Sequence, residues 1–92
     1  PPSAADIVVC SDVLEHVEPE CLLDVMDDLR RVTKWVGIFT VATSPAKKIL
    51  PDGRNAHLIQ KPFDWWCTLI TRRFNLKVFA SNKRGFLAIV ES

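Results

Sequence analysis

Two apolar runs separated by an amphipathic segment dominate the first half of the chain. The run Ala5–Cys10 shows no polar alternation after Asp6, a pattern typical of a strand that is buried on both faces in a parallel sheet. Val36–Thr43 is a similar run and predicts a second buried strand. Between the two runs, helical spacing predicts a helix from about Pro19 to Lys34. Its apolar stripe consists of Leu22, Val25, Met26, Leu29 and Val32.

The second half of the chain begins with a long polar stretch, Ser44–Lys61, and ends in two further apolar runs. Loops of this length in a compact domain are often functional. Pro62 can start a second helix. Leu76–Ala80 partly alternates, which suits an edge strand, whereas Phe86–Val90 is apolar throughout and suits an interior strand. The short turn between them predicts an antiparallel hairpin. The stripe of the second helix consists of Phe63, Trp66, Leu69, Ile70 and Phe74.

The order strand, helix, strand, loop, helix, strand, strand predicts an α/β fold with a mixed sheet that contains one antiparallel strand. The length of 92 residues suits a single domain over residues 1–92. The chain opens with Pro1 and Pro2 rather than Met, and we therefore expect a fragment of a longer protein.

Composition narrows the classes of partner and the compartment. A net charge of +1 gives no electrostatic case for binding nucleic acid or an anionic membrane. The apolar runs are too short to span a bilayer. Three cysteines without paired spacing favour a reduced compartment, so a cytoplasmic location is expected and a cysteine-based zinc site is not.

Polar residues are concentrated where the first apolar run ends. Asp12, Glu15 and His16 lie within five residues of one another, at the kind of strand terminus where open α/β sheets bind ligands. If the backbone turns helically there, these three side chains share a face. Their chemistry fits a cofactor-lining turn, an acid/base pair or a partial metal site, and the residues alone leave these readings open.

The segment ADIVVCSDVLEHVEPE, residues 5–20, resembles the fourth strand and following turn of class I S-adenosylmethionine-dependent methyltransferases, many of which carry a Leu-Glu-His-Val signature there. WVGIFTVAT resembles the fifth strand of that family, GRNAHLIQKPFDWW its substrate-side loop and next helix, and the closing hairpin its sixth and seventh strands. The resemblance implies the C-terminal half of a Rossmann-like methyltransferase fold, a three-layer half-fold that keeps strands four to seven. The family holds its cofactor mainly through a Gly-rich turn, and none of the three glycines of this chain lies in a Gly-x-Gly context.

Carried over residue by residue, the resemblance implies that Ser11, Asp12 and Val13 contact S-adenosylmethionine, Ser11 at its methionyl part. It makes His16 and His57 the candidate catalytic bases. The structural alternatives to catalysis are a capping or packing role for His16 and a solvated loop position for His57. In the same way, Glu15 fits a backbone cap as well as a chemical role, and helical spacing assigns Trp66 to the core although Trp65 and Trp66 could stack on a substrate.

One subgroup of this fold, which includes small-RNA 2′-hydroxyl methyltransferases and a quinone-biosynthesis O-methyltransferase, holds a divalent ion with an acidic-x-x-Glu-His motif. The RNA enzymes add a later histidine. Asp12, Glu15, His16 and His57 resemble that set, with Asp in place of the usual first Glu. Carboxylates and imidazoles also cluster without metal, and the expectation is a site that holds none. A bound ion would orient and acidify a substrate hydroxyl.

These observations lead to two functional hypotheses. The first is a methyltransferase, or a fragment of one, that transfers a methyl group to an O or N nucleophile of an unidentified acceptor. The alternative is a non-catalytic α/β interaction module. Because the counterpart of the family's first strand is missing, Ala5–Cys10 would have an unpaired, apolar edge. We therefore expect a homo-oligomer, or pairing with a missing N-terminal half.

Overall fold

The structure is a computed structural model that describes residues 4–92. Every predicted helix and strand is present, with ends that differ by a few residues, while Pro1 and Pro2 lie outside the described residues. None of the helices within residues 4–92 is long and apolar enough to cross a membrane. The elements are β1 (Ala5–Ser11), 3-10 turns at Leu14–His16 and Pro19–Cys21, α1 (Leu22–Val32), β2 (Thr33–Ala42), α2 (Phe63–Thr71), β3 (Asn75–Ser81) and β4 (Gly85–Glu91).

The four strands form one mixed sheet in the order β1-β2-β4-β3. β1 and β2 are parallel, and α1 connects them. β4 is antiparallel to both of its neighbours. The predicted mixed α/β sheet with one antiparallel strand is confirmed, as are the interior position of β4 and the edge position of β3. This is the strand arrangement of a partial Rossmann-like fold.

The hydrophobic core lies on one face of this sheet. Phe39 and Val41 of β2 face the same layer as Met26 of α1 and Trp66 of α2, and all four side chains are almost fully buried. Both helices therefore pack against the same face. The described residues form two layers, sheet and helices, rather than the three layers expected from the family resemblance, because no element within residues 4–92 covers the second face.

The second face of the sheet is apolar and open, most clearly at β1. Ile7 and Val9 are 61% and 65% exposed, and they pair in register with Val36 and Ile38 of β2. The predicted burial of this strand on both faces is wrong for the described part of the chain. An apolar run predicts that a strand is buried, but it does not identify the element that packs against it.

Replacing Trp66 tests the core. Trp66 is 0% exposed whereas its neighbour Trp65 is 36% exposed, so the two residues form a matched pair. We expect Trp66→Ala to lower the free energy of unfolding by about 3–5 kcal/mol through cavity formation. Trp65→Ala should cost about 1 kcal/mol. Urea denaturation measures both values, and equal losses would contradict the assignment of Trp66 to the core.

Association through the open face and the β1 edge stays a prediction. We expect a homodimer or larger assembly, because the edge of β1 offers unpaired backbone groups and its apolar side chains are exposed. Val9→Lys should shift the population towards monomer. Light scattering measures the change. A wild-type chain that is a stable monomer of 10.4 kDa, with a mass and solubility unaffected by Val9→Lys, would refute association.

Candidate functional site

A sharp turn at Asp12 begins the candidate site. Asp12 follows β1 with a φ of 53°, in the left-handed region that Asp tolerates better than most residues. Its backbone N–H donates to the Thr40 carbonyl at 2.9 Å, and its Oδ1 accepts from the Thr40 hydroxyl at 3.3 Å. Asp12 therefore binds the neighbouring strand and directs the chain away from the sheet into the 3-10 turn Leu14–His16.

Glu15 lies inside the protein. Glu15 is 0% exposed. Its Oε2 accepts a hydrogen bond from the backbone N–H of Ala42 at 3.0 Å. Oε1 is buried and has no hydrogen-bond partner among the described residues. The negative charge of Glu15 acts on Cys10, whose pKa is raised by its burial and, to a lesser extent, by this carboxylate. Glu15 is thus a buried acid tied to the end of β2 by one oxygen only.

The two histidines of the chain lie against each other. The rings of His16 and His57 meet edge to face, with centroids 4.9 Å apart. Nδ1 of His16 is hydrogen-bonded to the Ala56 carbonyl at 2.8 Å, and Nδ1 of His57 to the Ser44 carbonyl. Because a carbonyl oxygen only accepts, Nδ1 carries the hydrogen in both rings. A neutral ring then has its lone pair on Nε2.

The long loop places His57 over the turn. Asn55 organises it: Oδ1 accepts from the backbone N–H groups of Ala46 and His57, both at 2.9 Å. Its Nδ2 donates back to the Ala46 carbonyl at 2.9 Å. Further along, the N–H of Ile59 donates to the Glu15 carbonyl at 3.1 Å. The loop is therefore attached both to itself and to the turn that carries Glu15.

Arg54 adds an ionic clamp on the surface. Its guanidinium donates two hydrogen bonds to the Glu18 carboxylate, each 2.8 Å long, and one of 2.8 Å to Asp52. Hydrogen bonding to Arg54 lowers the pKa of both carboxyl groups. Neither Arg54 nor Asn55 is among the site residues predicted from the sequence. The available signal is the run Asp52-Gly53-Arg54-Asn55, since turn residues followed by an arginine suggest a compact, hydrogen-bonded loop.

Four of the predicted site residues line one open cavity of about 610 Å³: Asp12, Glu15, His16 and His57. One potential ligand atom from each of Glu15, His16 and His57 lies within 4.8 Å of the other two, whereas Asp12 does not belong to this group. Ser11 and Val13 are exposed beside the cavity, and the Ser11 hydroxyl lies 3.0 Å from that of Thr40. Trp65 lines a separate, smaller groove.

Comparisons with known proteins support the fold and no more. No family model matches the chain, and no curated protein matches it. Among solved structures, the chain is similar to the PH0226 protein from Pyrococcus horikoshii OT3, with 17% sequence identity and a TM-score of 0.67. The match covers 94% of this chain and 50% of the other, so the chain spans half the length of that protein. The likeness shows a shared α/β fold.

Removing the Arg54 side chain should lower the stability of the folded protein in a pH-dependent way. Glu18 and Asp52 have lowered pKa values in the folded protein, so their contribution is present above the unfolded values. It is lost as the pH falls through the lowered folded values. We expect Arg54→Ala to reduce the melting temperature at pH 7, with a difference from wild type that shrinks as the pH falls through the lowered folded pKa values of Glu18 and Asp52.

Arg72→Ala is the matched control, because Arg72 is exposed and makes no ion pair within residues 4–92. Its effect on the melting temperature should be small at every pH. High salt should shrink the Arg54 effect, since the clamp is exposed to solvent. A difference from wild type that shrinks neither on acidification nor in high salt would show that Arg54 acts through packing rather than charge.

Proposed function

We propose that this chain is the C-terminal half of a class I S-adenosylmethionine-dependent methyltransferase, which transfers a methyl group to an oxygen or nitrogen nucleophile. The observation that carries the proposal is the position of the polar turn. Asp12, Glu15 and His16 follow the carboxyl end of a parallel strand and, together with His57, line a cavity. Ligands of open α/β sheets bind at this end of the strands. The resemblance of residues 5–20 to the methyltransferase turn supplies the reaction class.

The chemistry follows from what the cavity offers. Methyl transfer proceeds by in-line displacement, and enzymes accelerate it mainly by holding the two reactants in the attacking geometry. A nucleophile that loses a proton also needs a base. With Nδ1 of His16 and His57 donating to carbonyls, each neutral ring keeps Nε2 free to accept that proton. The two histidines are therefore the proposed bases.

The proposed cofactor contacts form one wall of a binding site. Ser11, Asp12 and Val13 are exposed at the carboxyl edge of β1, so a ligand has access to all three. The fit to S-adenosylmethionine is partial, because the chain carries no Gly-x-Gly turn to approach the cofactor from the other side. We therefore expect weak binding by this chain alone.

Backbone NMR of the isolated chain titrated with S-adenosylmethionine tests the proposal. We expect chemical-shift changes centred on Ser11, Asp12 and Val13, with a dissociation constant of about 1 mM or weaker. Val13→Arg should abolish the changes by steric and charge interference. Val78→Arg is the control, since Val78 is exposed on β3 at the opposite edge of the sheet.

The outcomes separate the two functional hypotheses. Shift changes elsewhere, or none at the highest ligand concentration of the titration, would favour the non-catalytic interaction module. Sub-micromolar binding would contradict the partial site, because it would mean that the chain completes the cofactor pocket without a Gly-rich turn.

A further inference from the structure

We infer that Arg84 makes the turn between β3 and β4 a binding site for a carboxylate or phosphate group, and that the methyl acceptor is therefore an anion. Arg84 lines the cavity of about 610 Å³, on the other side of β2 from the turn after β1. Among the described residues that line this cavity, it is the only arginine or lysine. That the anion belongs to the acceptor rests on the proposed function, whereas the anion site itself does not.

The backbone of Arg84 is held from both sides. Oδ1 of Asn82 accepts hydrogen bonds from the N–H of Arg84 at 2.8 Å and from the N–H of Gly85 at 3.2 Å. The Arg84 carbonyl accepts from the N–H of Thr43 at 2.8 Å and from that of Ser44 at 3.4 Å. Because these contacts use only backbone groups of Arg84, they fix the residue at the cavity and leave its guanidinium free.

Gly85 allows the turn to lie this close to β2. It pairs with Ala42 at the start of β4, and a Cβ at this position would overlap the carbonyl oxygen of Val41. Any larger residue would therefore push the two strands apart at the cavity. The absence of a side chain at residue 85 keeps Arg84, its neighbour, directly beside the end of β2.

Ser44 connects Arg84 to one of the proposed bases. The N–H and the hydroxyl of Ser44 both donate to the Arg84 carbonyl at 3.4 Å, and the Ser44 carbonyl accepts from Nδ1 of His57. A single residue thus links the backbone of Arg84 to the imidazole ring. An anion bound at Arg84 would hold the rest of the acceptor in a defined position relative to His57, which is the kind of positioning that accelerates a transfer reaction.

The guanidinium of Arg84 has no partner within residues 4–92. Four of the six arginines bind protein groups through their side chains: Arg30, Arg31, Arg54 and Arg73. Neither Arg72 nor Arg84 makes a side-chain hydrogen bond or ion pair in the described part of the chain, and of these two only Arg84 lines the cavity. A free guanidinium offers a planar fork of N–H donors that matches a carboxylate or a phosphate.

The two ends of the cavity differ in charge. The carboxylate of Asp12 lies at the β1 end and would repel an anion, whereas Arg84 lies at the β4 end and would attract one. β1 and β4 are two strand spacings apart, about 10 Å. Val41, Phe86 and Leu87 line the cavity with apolar groups. This arrangement suits a cationic sulfonium donor at one end and, at the other, an acceptor with an apolar body and an anionic group.

Backbone NMR of the whole chain, titrated separately with benzoate and with phenyl phosphate, tests the inference. We expect shift changes at Ser44 and at residues 82–85, with a dissociation constant of about 1–10 mM for at least one of the two anions. The tighter of the two identifies the preferred group. Benzamide, the neutral isostere of benzoate, should bind at least about tenfold more weakly than the preferred anion. No S-adenosylmethionine is needed, so failure here is distinguishable from failure of the proposed function, whose shift changes centre on Ser11, Asp12 and Val13.

Variants of the turn assign the charge. Arg84→Gln should weaken binding of the preferred anion by at least about tenfold. Arg84→Lys keeps the charge but loses the planar fork, so its affinity should lie between those of wild type and Arg84→Gln. Lys83→Gln is the matched control, because Lys83 is an adjacent, exposed cation that does not line the cavity. It should change the affinity by no more than about twofold.

Several results would overturn the anion site. They are unchanged binding in Arg84→Gln, an equal loss in Lys83→Gln, benzamide binding as tight as that of the anions, and no shift changes up to about 50 mM of either anion. Circular dichroism verifies that each variant is folded. All three should be folded, since the contacts that hold residue 84 are made by its backbone.

Discussion

The candidate site depends on the hydrogen bond from the Ala42 N–H to the buried Glu15 carboxylate. It ties the turn after β1 to the end of β2, the two parallel strands whose carboxyl ends define this edge of the sheet. The same residue accepts the Ile59 N–H through its backbone carbonyl, so the long loop is joined to the same point. A buried carboxylate at such a junction costs free energy unless its remaining oxygen is also satisfied. One side chain therefore holds the turn to the sheet and also carries a buried oxygen without a hydrogen-bond partner among the described residues.

The loop between β2 and α2 makes use of that anchor. A segment of this length loses considerable entropy when it is ordered, and isolated hydrogen bonds offset little of it. The side chain of Asn55 makes three hydrogen bonds to backbone groups, while Arg54 joins the loop tip to Glu18. These contacts are local and polar, which allows the loop to be exposed and still hold His57 in one position. The geometry of the loop is therefore set by hydrogen bonds, whereas the hydrophobic core packs the two helices against the sheet.

Periodicity predicted the scaffold well and the site only in outline. The stripe that includes Trp66 identified the second helix, and the uniformly apolar run Phe86–Val90 identified the interior strand, because both patterns reflect burial by neighbours on the same element. The orientation of Glu15 was beyond such reasoning. A helical turn starting at Asp12 would have placed Asp12, Glu15 and His16 on one face, but the left-handed backbone of Asp12 separates it from the other two. A single residue with positive φ changes the geometry of a motif without changing its spacing.

The exposed face of β1 shows a similar limit. The apolar character of Ile7 and Val9 is explicit in the sequence, yet the residues that would cover them are not encoded in the same segment. Burial predicted from a run of apolar residues depends on a second surface. Within residues 4–92 that surface is absent, and the side chains are exposed.

The long loop fixes the same feature in both histidines of the cavity. With Nδ1 of His16 and His57 donating to the Ala56 and Ser44 carbonyls, each neutral ring has its lone pair on Nε2, the atom that the proposed base role requires. Both carbonyls belong to the segment between β2 and α2, so the loop that carries His57 also sets the tautomer of His16, which lies on the turn after β1. The proposed bases therefore depend on the fold of the loop as much as on the strand end that carries the Leu-Glu-His-Val signature.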